Sequence, residues 1–244
     1  MKMKVSDYAY NKTADLLSIK TWQYLAISTG NLSAIFLLLS FVLPGNLPPS
    51  KPWWTAERYQ EHYSAHIKGT QAGAIFMMLG GGLYLPYSAA ITKRMRLIPA
   101  LDPILPDLVL VCGAAAFSAF MLAATFLSLV NFRDYGAELT RLLNDLFWMA
   151  AFLPWPAFWV QMWTVSWAIF SDPGPKTVFP RSMGWVNLIT PLGLAFASGI
   201  HIQKEGPMAW NGALSYWIGL AMYGIQVSYD CLVMMNAVRR EGTF

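Results

Sequence analysis

An all-α membrane bundle is the fold class this sequence predicts, and three observations predict it. The composition is 56% hydrophobic and 12% charged, far more apolar than a soluble domain requires. The apolar residues gather into separate runs of about twenty, enough to cross a roughly 30 Å hydrocarbon core, instead of the alternating ten-residue strands of an outer-membrane barrel. Prolines and charges stand between the runs, where a continued helix would lack donors or clash. The reading is an integral membrane bundle of six transmembrane helices with one amphipathic helix outside it. An interfacial segment at 1–20 precedes a transmembrane domain at 21–244.

Residues 1–20 carry Lys2, Lys4, Lys12 and Lys20 among Tyr8, Tyr10, Leu16, Leu17 and Ile19, a mixture suited to a helix lying on the membrane surface. Spans follow at about 22–43, 69–91, 107–130, 146–170, 184–202 and 212–238. Pro44, Pro48 and Pro49 close the first, Pro103 and Pro106 precede the third, and Pro173 and Pro175 break the chain after the fourth. Between the first two lies PPSKPWWTAERYQEHYSAHIKG. Thr55 followed by Ala56, Glu57 and Arg58 reads as an N-cap with an acidic first turn, so an external helix is expected at about 54–67, with Trp53 and Trp54 at headgroup level. In the second span, Gly80, Gly81 and Gly82 followed by Pro86 permit close helix approach or a bend; in apolar sequence they are not a phosphate loop.

The stretch from Glu138 to Phe170 organises the rest. Glu138, Arg141 and Asp145 fall on one helix face. Pro154 and Pro156 then remove backbone donors, while Trp155, Trp159, Trp163 and Trp167 recur every four residues. A kinked, tryptophan-lined helix with a charged cluster at its mouth is the expectation.

Orientation follows from the basic residues. With the N-terminus inside, eleven of the 17 Lys and Arg residues fall on the cytoplasmic side, as the positive-inside rule requires. Both termini are therefore expected in the cytoplasm, with the chain in a bacterial inner membrane. The same residues are scattered and form no basic stripe, which excludes nucleic acid as a partner. Cys112 and Cys231 lie inside spans and form no CxxC pattern, so they read as buried thiols. The two halves share no repeat, and the duplicated signature of many transporters is missing.

Asp230 is the most informative single residue. About nine residues from Arg239, it lies some 13 Å into the membrane, where a carboxylate is costly and faces a partner, a cavity or water. Gln161, Tyr84 and Thr190 reach a similar depth. A polar site of Asp230 with Gln161 and a tyrosine hydroxyl is one reading, set in an aromatic cavity formed by Tyr84, Trp155, Trp159, Gln161, Trp163 and Tyr229. Hydrogen-bonded packing between helices is the other. At the outer end, an Arg141 to Asp145 pair at i, i+4 is an ordinary bridge or, in a vestibule, an acid/base pair. His62 and His66, also i, i+4, would hold a metal ion if His201 or Asp145 joined them. The chain has no HExxH, GxSxG, P-loop or SxxK pattern, its three histidines are too few for a histidine-rich diiron oxygenase, and no pattern specifies a cofactor.

The segments WWTAERY, LLNDLFW, PWP, VFPR and GPMAWNG together resemble an uncharacterised group of bacterial six-span inner-membrane proteins. The likeness runs from Pro52 onward and implies the six-span fold, with no activity attached.

These readings converge on a bilayer protein with an aromatic intramembrane cavity for a hydrophobic small molecule: a lipid, quinone, steroid or terpenoid. It would act as a binding or accessory subunit, with membrane protein partners or as a homo-oligomer. The alternative is a membrane-embedded acid/base enzyme, an isomerase, hydratase or cyclase, acting on an apolar substrate.

Overall fold

The computed structural model describes residues 18–174 and 177–240, and among these every regular element is a helix. The interfacial segment expected at 1–20 falls, apart from its last three residues, outside the described residues.

Helix α1 (Ile19–Val42) starts at Ser18, whose hydroxyl accepts from the Thr21 amide at 3.1 Å. A short helix, α2 (Ala56–Ala65), follows, capped by Thr55 accepting from Arg58 N at 3.3 Å. Its cap is the residue the sequence marks, because a Thr oxygen satisfies an amide that has no intrahelical partner. Helix α3 (Ile67–Met95) returns antiparallel to α1. The two approach so closely that a Cβ at Gly69 would lie 2.0 Å from Leu43 O, and Ser33 Oγ on α1 donates to Gly80 O at 2.7 Å. Small residues are what allow such contact in a membrane bundle. Helix α4 (Ile104–Val130) runs back along α3.

The next run divides. Instead of one kinked helix there are two, α5 (Ala137–Phe152) and α6 (Trp155–Phe170), each of 16 residues. Pro154 has no N–H, and its ring displaces the carbonyl four residues back, so the ladder stops before it. Pro156 then sits in the first turn of α6, where no donor is needed. The helix also begins earlier than expected, at Ala137, ahead of the charged cluster.

Helix α7 (Arg181–Leu194) contains Pro191 and tightens into a 3-10 turn at Ala195–Gly199. A π-helical turn, Ala213–Ile218, opens the last helix, α8 (Gly219–Arg240).

Four of these are long and apolar enough to cross a membrane: Ile19–Val42, Ile67–Met95, Ile104–Val130 and the combined Ala213–Arg240. Exposed Leu25, Ile35, Val111, Leu122, Ile225 and Leu232 lie along them, as lipid-facing positions do. The protein is a helical membrane protein. The fourth and fifth expected spans are shorter pieces, because Pro154 and Pro191 interrupt their hydrogen-bond ladders.

The core holds an aromatic tower near the α2 end of the bundle. Trp148 is fully buried and stacks on Trp210 with 6.1 Å between ring centroids and 5° between planes. Its indole N–H is shared between Ser50 Oγ at 3.0 Å and Asn144 Oδ1 at 3.1 Å. Tyr63 OH donates to the same Asn144 oxygen at 2.8 Å. Buried ring donors are thus satisfied, and α2, α5 and the 46–50 loop are fixed to one another.

Candidate functional site

A cavity of about 100 Å³ opens beside this tower, between α1, α4, the α5–α6 break, the 3-10 turn and the start of α8. Its wall is mostly aromatic: Phe41, Phe120, Phe152, Trp155, Phe158, Tyr216 and Tyr223. Phe152 stacks on Tyr216 at 6.1 Å, and Phe158 meets Tyr223 edge-on at 5.8 Å and 88°. Rings held by such contacts are rigid and do not interdigitate as aliphatic chains do. The π turn presents Tyr216 and Ser215 to the cavity. Ser215 Oγ secures it to the preceding turns through Phe196 O at 3.0 Å and Met208 O at 2.9 Å, and Tyr216 OH donates to Asn46 O at 2.9 Å. One lining polar atom lacks a partner: Tyr223 OH is buried without a hydrogen bond among the described residues.

Of the residues expected to line a cavity, Trp155 does so. Tyr84 stands one layer behind, stacked on Tyr223 at 6.4 Å. Trp159, Gln161, Trp163 and Tyr229 lie elsewhere. The tryptophans diverge because a four-residue step turns about 40° on a helix with 3.6 residues per turn. Trp155 begins inside the bundle, Trp163 is 38% exposed with its N–H on Leu188 O at 3.1 Å, and Trp167 is 67% exposed. Tyr229 OH instead pairs with Ser182 Oγ at 2.8 Å, toward the far end.

Asp230 and Gln161 occupy two separate polar networks joined through α3. Asp230 is fully buried. Asn187 Nδ2 donates to its Oδ1 at 2.8 Å, Tyr87 OH to its Oδ2 at 3.2 Å, and Gln226 Nε2 also to Oδ2. These donors come from α3, α7 and α8. Gln161 accepts from Tyr84 OH at 2.6 Å and donates to Ser88 Oγ and Val109 O, both at 3.0 Å. Tyr84 and Tyr87, one turn apart on α3, are 5.3 Å apart between ring centroids. Neither Asp230 nor Gln161 lines the cavity. Sequence depth located both residues correctly within the bundle; it did not tell that each would be enclosed by amide and hydroxyl partners.

The outer cluster also rearranges. Arg141 pairs with Glu138 at 2.7 Å, not with Asp145. The exposed Glu138 lets the guanidinium stay in water, whereas Asp145 is half-buried. The cluster nevertheless extends inward, because Asn144 Nδ2 reaches Asp145 Oδ1 at 3.4 Å. Asn144 and Ser50 are buried partners in this region; Asn144 adjoins the aromatic LFW run, whereas no local pattern marks Ser50.

His62 and His66 do come together, with ring centroids 4.8 Å apart, and His66 Nδ1 lies 2.8 Å from His62 O. Burial, then the neighbouring His66, pushes the His62 imidazole down to about 4. The expected third ligand does not join them: among the described residues no three His, Cys, Asp or Glu side chains form a metal-holding group. His201 is exposed on the loop before the π turn. Cys112 and Cys231 are free and buried, as expected.

Neither a family model, nor a curated protein, nor a solved structure gives a significant match to the chain.

Proposed function

We propose that this chain is a six-pass protein of a bacterial inner membrane, with both termini cytoplasmic, whose aromatic cavity binds the apolar part of a hydrophobic small molecule. It would serve as a binding or accessory subunit rather than as a pump. The six passes are α1, α3, α4, the consecutive α5 and α6, α7 with its 3-10 turn, and α8. The observation that carries the binding reading is the cavity itself: a hollow to which seven aromatic residues from five segments contribute. An apolar void of this kind stays dry and accepts apolar ligands, as a roughly 150 Å³ engineered cavity accepts benzene. At about 100 Å³ it takes a chain end or one isoprene unit, which favours a long-tailed ligand over a fused-ring steroid. The acid/base alternative has less support, since Asp230 is enclosed by its three donors away from the hollow.

Native mass spectrometry of the protein released from nanodiscs tests this. One apolar molecule per chain is expected, and Gly219→Val should reduce its occupancy about 10-fold. Gly219 lines the cavity, and a Cβ there meets Leu194 only at 3.9 Å, so added methyls fill the hollow without disturbing the fold. A chain that carries no such molecule and takes up none of an added decylbenzene overturns the reading.

A further inference from the structure

The cavity has a lateral neighbour. Between α1 and α8 a groove of about 470 Å³ faces the outside of the bundle, lined by Asn31, Ala34, Leu38, Gly224 and Ser228. Leu37, Leu220 and Tyr223 line both this groove and the inner cavity. These three side chains are therefore the partition between the two spaces, and Tyr223 is the polar one.

The register of the two helices sets the depth. Cys231 Sγ contacts Ile27 O at 3.2 Å, and a Cβ at Gly30 would lie 2.6 Å from Cys231 Sγ. Leu37 meets Leu220 and Tyr223 further along. Positions rise on α1 as they fall on α8, so the pair is antiparallel. Asn31 lies twelve residues past Ile19, and Ser228 lies twelve before Arg240. At about 1.5 Å per residue both sit some 18 Å from the same end, near the middle of a roughly 30 Å hydrocarbon core. An amide and a hydroxyl are thus gathered at mid-bilayer, with Tyr223 five residues, about 7.5 Å, further along α8 and still within the hydrocarbon, where acyl chains offer these groups nothing to bond.

The Tyr223 hydroxyl is the critical group. It is buried without a hydrogen bond of ordinary geometry among the described residues; the neighbouring Ser33, which gives its own proton to Gly80 O at 2.7 Å and keeps its lone pairs, is the acceptor a ligand carbonyl competes with. A buried donor left unmade is costly, and an acceptor arriving from the groove relieves that cost. A phospholipid does not supply one, because its esters and phosphate stay at the interface.

We propose that the α1–α8 groove is the binding site for the carbonyl head of a long-chain compound that resides wholly within the bilayer, such as a prenylated quinone. Tyr223 donates to the carbonyl, Asn31 and Ser228 face the head, and the chain end passes the Leu37–Leu220 partition into the aromatic cavity. This rests on the cavity reading above and adds to it the head-group chemistry and the lateral route.

The test uses the full chain in phosphatidylcholine nanodiscs, titrated with a decyl-substituted benzoquinone and with decylbenzene, which has the same tail and no carbonyl. Binding is read by native mass spectrometry. The quinone should saturate at one per chain and bind about 3- to 10-fold tighter than decylbenzene, the worth of one neutral hydrogen bond. Tyr223→Phe, which removes a single oxygen, should erase that preference and leave decylbenzene affinity unchanged. Gly224→Leu should weaken the quinone at least 10-fold; a Cβ at Gly224 meets nothing within 4 Å, so the new side chain occupies the groove and not the core. Equal affinities in the wild type, or a preference that survives Tyr223→Phe, overturn the carbonyl assignment and leave the cavity reading standing. Uptake of neither probe overturns both. A wild-type dimer that Gly224→Leu converts to a monomer also overturns it, by assigning the groove to a second copy.

Discussion

The two interior regions flanking α3 and α8 are built oppositely. Around Asp230 and Gln161 polar side chains pair across helices, Asp230 with donors from α3, α7 and α8 and Gln161 with α3 and α4, and neither residue lines the cavity. Around Trp155 and Tyr216, one layer away, the walls are rings and the space is open. In a low-dielectric interior an unpaired polar group costs several times what an imperfect apolar contact does. A packing change is accordingly costlier where Asn187, Gln226 and Tyr87 converge than where Phe152 faces Tyr216. The buried carboxylate, the most conspicuous residue in the sequence, specifies how three helices fit together. The hollow falls where rings meet small and aliphatic side chains.

This contrast predicts an order of effects. Asp230→Ala should destabilise most, by about 2–4 kcal/mol, since three donors lose their acceptor at once; Asp230→Asn should cost about half as much, keeping the shape and part of the bonding. Thermal unfolding in detergent measures both, and an Asp230→Ala variant as stable as wild type would break the comparison. Gln161→Leu should follow at about 1–2 kcal/mol, leaving Tyr84 OH without its acceptor. Gly219→Val, on the open side, should shift stability by less than about 1 kcal/mol while reducing ligand occupancy about 10-fold. If it costs as much as Asp230→Ala, the cavity is not a void that can be filled.

The smallest effect lies outside the spans. His62 titrates near 4 in the folded chain and near 6.5 when unfolded, so between those values the unfolded state binds more protons. Its contribution to stability is complete above about pH 6.5 and is lost as the pH falls toward 4. Arg58 adds positive charge beside it, which acts in the same direction. His62→Gln should flatten the decline in melting temperature between pH 6.5 and 4, and an unchanged slope would show that the imidazole is not held neutral.

Much of the scaffold was legible without coordinates. Thr55 declared its cap and hydropathy declared α1, α3, α4 and α8, while Pro154, read as a kink, proved to be a full break. Local rules sufficed there because the cause is local: a side-chain oxygen, a missing amide, a run of apolar residues. The tryptophan row misled for a geometric reason. A repeat of four holds one face only briefly before its 40° drift carries it outward, and Trp155 to Trp167 spans enough turns to leave the core. The choice of Glu138 over Asp145 by Arg141 was equally hidden, since spacing permits both and burial selects one.

The amino-acid sequence alone determined that this chain is helical and belongs in a membrane, where its breaks fall, and that Asp230 lies deep. Those properties follow from composition and from residues a few positions apart. Which side chains enclose Asp230, that the π turn carries Tyr216 to a hollow, and that Tyr223 stands between that hollow and the α1–α8 groove were decided by tertiary structure. Each depends on residues more than a hundred positions apart meeting at one depth, and the packing of whole helices selects that meeting.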